Sequence, residues 1–456
     1  MTQKPTFDYD YIIIGSGAAG SPAAGILARS GKKIAVVEKS TFGGESPNWG
    51  DIPTGAMIHA AAAYHQAKTA AKFGLRTNTV GYNYPSLLSW KQTATKRTGV
   101  NDSRRYYEKQ GISVFAGNAH FLSPNEITVN RRHLSARKFL IATGSEWSIP
   151  NLPGLTDTPY HTPKTILNLT KPPKSLFIIG SGPTALELAH LFSSFGTKVY
   201  IAERSRHVLP TFDHEVSELL AQDAKKRGIT LLPLTRVIAV QKNGLLKRVT
   251  FVQGNVEHSV RVGEILIADG RTPATDLGLE NAGIKYNAAG IAVNASLQTS
   301  ARHIFAAGSV VDTQAETHAI LEQSRICAHN LQHRNMAVFD STPTIRTVFT
   351  HPQIAQVGIN QLECQRTHLA IKTSLAPLTA TTYSNITDER SGFVKLIANK
   401  KRVIIGGTIV ASHASEMIGE LALAVRHGLT AEQLVTTPHC FTTASEAVRI
   451  AAGKLL

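Results

Sequence analysis

One pattern occurs twice in this chain, and it constrains the fold more than any other feature. Residues 11–38 run as an apolar segment, a glycine-rich turn, a helical segment, and a second apolar segment that ends in an acid. A continuous apolar run of this kind reads as a strand buried on both faces, as in a parallel sheet. Gly15, Gly17 and Gly20 give G-x-G-x-x-G, with Ala18 and Ala19 between them. The first glycine permits the tight turn, the second lets backbone approach a pyrophosphate, and the third lets helix pack on strand. The pyrophosphate would lie on the helix N-terminus, where unpaired N–H groups and the dipole favour anions. Glu38 closes the second strand about 20 residues on, where a carboxylate can bind ribose hydroxyls. Residues 175–203 repeat the pattern with Gly180, Gly182 and, as the third small residue, Ala185; the second acid is Glu203. Two such units imply two nucleotides, most simply one bound flavin and one exchanging nicotinamide. Glu203 favours NADH, since a carboxylate bonds a ribose 2′-hydroxyl and repels a 2′-phosphate. Arg204 and Arg206 follow at once and could pair a phosphate, so NADPH is the alternative.

The remaining bulk properties narrow the class. A chain of 456 residues exceeds one ordinary core and suggests about two to four domains. No apolar run approaches the roughly 18 residues needed to span a bilayer, and the polar N-terminal ten residues do not read as a secretory signal. The three cysteines, Cys327, Cys364 and Cys440, are scattered and odd in number. They argue against a disulfide framework and fit a reducing cytoplasm. The net charge of +16 has two readings, an anionic partner or a solvated surface around anionic cofactors. The basic residues are dispersed, and their short clusters (Arg131-Arg132, Lys400-Lys401-Arg402) are not interleaved with aromatics. That favours the second reading, with no nucleic-acid partner and no integral membrane segment.

The order of these units and of several shorter landmarks resembles the flavoprotein disulfide reductases along essentially the whole chain. The landmarks are Ala142-Thr143-Gly144, Gly270-Arg271-Thr272-Pro273, Gly308-Ser309 and, near residue 348, Val-Phe-Thr-His-Pro. The resemblance implies an α/β fold with two Rossmann-like dinucleotide-binding domains, for FAD and NAD(P), and a C-terminal α+β dimerisation domain. The expected division is residues 1–150 and 271–341 for FAD, 151–270 for NAD(P), and 342–456 for the homodimer interface. It carries cofactor contacts onto Lys39, Gly43, Gly44 and Ser46 as well. Ser309 replaces the family's usual aspartate to the flavin ribityl chain. In the C-terminal part, residues 392–396 and 404–410 read as antiparallel strands with alternating faces. Residues 415–428 read as an amphipathic helix with Ile418, Leu421, Leu423 and Val425 as its apolar members and Gly428 as its stop.

The resemblance is most informative where it breaks. The family's redox segment runs G-G-x-C-x-N-x-G-C-x-P-S-K; here Gly43-Gly44-Glu45-Ser46-Pro47-Asn48-Trp49-Gly50-Asp51-Ile52-Pro53-Thr54-Gly55 has Ser46 and Asp51 for the cysteines and Gly55 for the lysine. Neither a hydroxyl nor a carboxylate can exchange with a disulfide. Asp51 then reads either as a proton donor beside the flavin, its pKa raised by burial, or as a cap of the helix near Pro53. Glu187 matches a family glutamate at the nicotinamide. In the family's acid–base segment Phe441 replaces the catalytic histidine, Glu446 remains, and His439 stands two residues earlier, either compensating or structural. The candidate catalytic set is therefore Asp51, Glu187, Glu446 and His439, with no metal. The implied activity is an NAD(P)H oxidoreductase passing electrons from flavin to a small-molecule acceptor such as a quinone. Two alternatives stand beside it. One is a soluble transhydrogenase, which residues 446–452 also resemble; the other is a flavin- and NADH-binding redox sensor.

Overall fold

The computed structural model describes residues 6–76, 79–100 and 103–456. The chain divides into two compact units: Met1–Ala56, Ser89–Ser148 and Gly270–Ser341 form the first, and Met57–Leu88, Ile149–Asp269 and Thr342–Leu456 the second.

The first unit is built on the parallel sheet its apolar runs require. Tyr9–Ile14 lies between Ile34–Glu38 and Arg132–Ile141, Ser113–Ala116 extends the first side, and Ile304–Ala306 pairs Arg132–Ile141. Register is set by the apolar residues, Ile12 opposite Ala35 and Ile14 opposite both Val37 and Ile141. Ile12, Ile13, Phe139 and Leu140 are fully buried, and each such side chain contributes about 1.5–3 kcal/mol over leaving it in water. Helix Gly20–Ala28 packs against helix Thr317–Gln332.

The second unit repeats the device with Thr230–Leu232, Lys198–Ala202, Ser175–Ile179 and Glu264–Ile267 in one parallel sheet. A five-stranded antiparallel sheet follows, in the order Ile345–Val348, Gln353–Gly358, Ile404–Ala411, Phe393–Asn399, Ile371–Pro377. The expected alternation of faces is absent there: six successive residues from Phe393 to Ala398 are buried. The cause is cover on both sides, by helices Ala414–His427 and Glu446–Gly453 and by a polar cluster around Lys395 and Thr408. Helix Ala414–His427 ends on Gly428 in the left-handed region, φ 62°, where glycine has no Cβ to clash. Its buried stripe is Ala414, Ile418, Leu421 and Ala424. Leu423, expected on that stripe, is 58% exposed. Two residues past Leu421 is 200° around a helix, so the intervals of three and four win over simple hydrophobicity.

Candidate functional site

In the first unit three loops cross at the end of the Tyr9–Ile14 strand, and glycines make the crossing possible. A Cβ on Gly15 would lie 2.2 Å from the Ala142 carbonyl oxygen, and one on Gly44 2.6 Å from the Gly17 Cα. The structure thus brings together the Gly15–Gly20 turn, Gly43-Gly44 and Ala142-Thr143, which lie far apart in sequence. Glu38 is the staple of this junction. Its Oε2 accepts from the Ser16 N–H at 2.9 Å and the Ser16 Oγ at 2.8 Å, and its Oε1 accepts from the Ser40 N–H at 2.8 Å. Thr143 Oγ1 donates to the Ala274 carbonyl. Gly308 N–H donates to Gln323 Oε1 at 2.8 Å, and a Cβ on Gly308 would sit 3.2 Å from the Ala19 Cβ. Ser309 Oγ would lie 3.6 Å from a Cβ on Gly144, so Gly144, Ala19, Gly308 and Ser309 line one neighbourhood. Ala18, beside it, is half-buried.

Two residues expected at a cofactor also have protein partners. Arg271 pairs with Glu45, donates to Ser145 Oγ at 2.8 Å, and lies over the Trp147 ring. It thereby fixes the short helix Glu45–Asn48 that carries Ser46. Lys39 pairs with Glu146 at 2.6 Å on the exposed surface. Sequence spacing holds no trace of Glu45, 226 residues from Arg271, or of Ser16, whose role depends on the loop crossing.

In the second unit the glycine turn is built alike. A Cβ on Gly180 would lie 2.4 Å from the Ala268 carbonyl oxygen, whereas one on Gly182 would meet nothing within 4 Å among the described residues. Gly182 caps helix Pro183–Ser194, and its buried neighbour Ser181 has an Oγ without a partner among the described residues. The fold therefore needs glycine at 180 but not at 182, where the open backbone fits a close-approaching pyrophosphate. Glu203 accepts from the Ser205 N–H, and Arg204 is paired with Asp269. Gly180, Glu203, Arg204 and Asp269 line a cavity of about 220 Å³. Arg206 lies beyond, on an adjoining cavity of about 520 Å³ that shares Glu203. Glu187, one turn into the helix, accepts from the Phe349 N–H at 2.9 Å.

The remaining candidates take separate places. Asp51 is exposed, not buried, as the first residue of helix Asp51–Thr69, and its Oδ2 accepts from Thr317 Oγ1 at 2.8 Å. That bond ties it to the first residue of helix Thr317–Gln332. Gly55 lies exposed in that helix, and a Cβ placed on it would meet nothing within 4 Å among the described residues. Phe441 is 67% exposed. Glu446 is buried at the start of its helix with Oε2 unpartnered among the described residues. His439 has a side chain only 5% exposed, with Nε2 2.8 Å from Glu420 Oε1 and Nδ1 2.9 Å from the Thr437 carbonyl. Both ring nitrogens are thus engaged. Among the described residues no cluster of His, Cys, Asp and Glu could hold a metal ion, and no helix is long and apolar enough to cross a membrane.

Comparison with known proteins matches residues 9–333 to the pyridine nucleotide-disulphide oxidoreductase model and residues 344–452 to the dimerisation domain of the same proteins. The chain belongs to the pyridine nucleotide-disulphide oxidoreductase family. It is 32% identical over 448 residues to a mercuric reductase of Staphylococcus aureus, covering 98% of this chain and 82% of that protein. It is likewise 32% identical to a dihydrolipoyl dehydrogenase of Thermus scotoductus, covering 98% and 97%. The copper(II) complex of the HOCl-induced flavoprotein disulfide reductase RclA of Escherichia coli superposes with a TM-score of 0.88 at 25% identity, covering 99% and 100%. The family comprises FAD-dependent oxidoreductases that use NAD(P)H, and the α/β architecture with two dinucleotide-type sheets and a dimerisation domain is the family's own.

Proposed function

We propose that this member is an NAD(P)H oxidoreductase whose acceptor is not a disulfide, with a quinone-type small molecule as the favoured acceptor. One feature supports the reading: residues 43–55 resemble the family's redox segment, and in that match Ser46 and Asp51 stand at the cysteine positions. The three cysteines do not replace them. All are free thiols; Cys327 and Cys364 are buried, burial pushes the Cys327 thiol far up, and Cys440 alone is exposed. A buried thiol held protonated is a poor nucleophile, and a lone exposed thiol cannot cycle as a dithiol.

FAD, when bound, would accept a hydride from reduced nicotinamide and release the electrons to the acceptor. The residues of this chain supply the rest. In the first unit the Gly15–Gly20 turn, Glu38 and the Ala142–Gly144 and Gly308-Ser309 segments would hold and orient the flavin dinucleotide. In the second, Gly180, Gly182 and Glu203 would hold the nicotinamide dinucleotide, and the carboxylate of Glu203 favours NADH. Arg204 is engaged by Asp269, which supports the same preference. Glu187 would face the nicotinamide half-site. Asp51 is exposed and held at one oxygen by Thr317, so the proton the acceptor takes up would come from solvent. Residues 342–456 would form a homodimer interface.

The test is anaerobic stopped-flow mixing of the flavin-loaded protein with NADH or NADPH. Fast loss of flavin absorbance with NADH, followed by its return on adding a quinone, is the expected result. No bleaching with either nucleotide would leave only a binding role. Return of absorbance with a thio-nicotinamide dinucleotide, and not with quinone, would select transhydrogenation.

A further inference from the structure

His65 and His351, from different elements, pack ring to ring, and His190, one turn from Glu187 on its helix, feels the charge of both. His65 lies on helix Asp51–Thr69, His190 on helix Pro183–Ser194, and His351 in the segment before strand Gln353–Gly358. The His65 and His351 rings are 5.3 Å apart at 59°. His190 is buried three residues after Glu187 on the same helix. Arg227, which caps helix His214–Lys226, donates from Nη2 to the His351 carbonyl at 2.8 Å and is itself held by Asp223 at 2.7 Å. Two residues before His351, the Phe349 N–H donates to Glu187. The segment 349–351 is thus clamped at both ends, by Glu187 and by Arg227, with the three rings beside it.

Burial is the largest influence on each ring, and it holds all three below the ordinary imidazole value, His190 well below. Arg227 adds to this for all three, and the rings oppose each other's charging. The other charged groups facing them are Lys72 and Asp223 at His65, and Asp223, Glu389 and His413 at His351. The carboxylates act in the opposite sense and do not outweigh burial. Packing therefore disfavours the charged form of each ring. Exposed histidines titrate near pH 6.5, so below that pH the opened form binds more protons than the packed one and opening becomes more favourable.

We propose that His65, His190 and His351 form an acid-sensitive latch that positions Glu187, so that mild acid releases segment 349–351 and weakens the nicotinamide site. These are positioning residues; none needs to touch a substrate. Opening that requires one added proton gains about fivefold over the first pH unit below the exposed value and approaches tenfold per unit beyond it. The link to nicotinamide rests on the role proposed for Glu187, whereas the latch itself does not.

The two parts are tested separately. Amide hydrogen exchange of a peptide covering residues 347–351, corrected for the intrinsic pH dependence, reports opening directly. Protection should fall about fivefold between pH 6.5 and pH 5.5, and His190→Gln, which cannot take the proton, should flatten the change. Protection that is constant across this range in the wild type overturns the latch. If His190→Gln does not fold, His351→Asn supplies the comparison, and a wild-type slope retained in it overturns the assignment. NADH affinity measured over the same pH range should fall in parallel. A latch that opens while affinity holds would overturn the coupling and the role of Glu187, and leave the latch standing.

Discussion

Lys395 offers the sharpest test of how the second unit is held together. Its ammonium is 2.9 Å from both carboxylate oxygens of Glu215, 2.7 Å from Gln361 Oε1 and 3.6 Å from Asp213 Oδ1. The Lys395 side chain is 4% exposed and that of Asp213 1%. Lys395→Met keeps the volume and removes the charge. Glu215 keeps some access to water, but among the described residues the Asp213 carboxylate is left with the Gln361 N–H and Thr408 Oγ, each at 3.0 Å. Removing one member of a buried pair costs about 3–5 kcal/mol, because the remaining charge stays buried. The three tryptophans, Trp49, Trp90 and Trp147, all lie in the first unit. Urea unfolding followed by circular dichroism should therefore show an early transition in the variant while the tryptophan transition stays in place. The double variant Lys395→Met, Asp213→Asn should recover part of the loss, since the orphaned charge is gone. Coincident, unshifted transitions in Lys395→Met would refute the reasoning. The pair also sets a pH direction. Burial pushes Glu215 up, but its bonds to Lys395 leave it below the usual carboxylate value. Its stabilisation is therefore present above the ordinary value and is lost as pH falls through the lowered one.

Other outcomes follow from the same geometry. Gly55→Ala should raise the stability of helix Asp51–Thr69 by about 0.5–1 kcal/mol, visible as a thermal shift, because glycine is costly within a helix and a Cβ there is unopposed. Gly182→Ala should fold normally yet raise the KM for nicotinamide, whereas Gly15→Ala, with φ near +101° and a 2.2 Å clash, should fail to retain flavin; equal behaviour of the two would contradict the distinction drawn between them. His439→Asn should cost about 1–3 kcal/mol of stability and leave turnover unchanged, given its engaged ring nitrogens; a large fall in kcat at unchanged stability would make it catalytic.

The parallel sheets and glycine turns were legible because their signals are local: an apolar run, then glycines at fixed offsets. Helix Ala414–His427 is legible in extent from its pattern and its terminal Gly428, whereas the place of Leu423 follows helical spacing and not hydrophobicity. The unbroken burial of Phe393–Ala398 could not be read as such, since cover on the second face comes from distant residues, Asp213 and Glu215 among them. The ion pairs of Arg271 with Glu45 and of Lys39 with Glu146 are invisible in the sequence. Such pairings across a hundred residues or more leave no periodicity. Ser46, Asp51 and Gly55 stood out only because a family pattern existed for them to break.

Anaerobic reductive titration tests the absence of a redox dithiol most directly. A flavin accompanied by a disulfide takes up two successive two-electron equivalents, whereas a flavin alone takes up one. A single two-electron equivalent per bound FAD is expected, with no thiol newly open to alkylation after reduction. Uptake of a second equivalent, with two newly reactive cysteines, would contradict it.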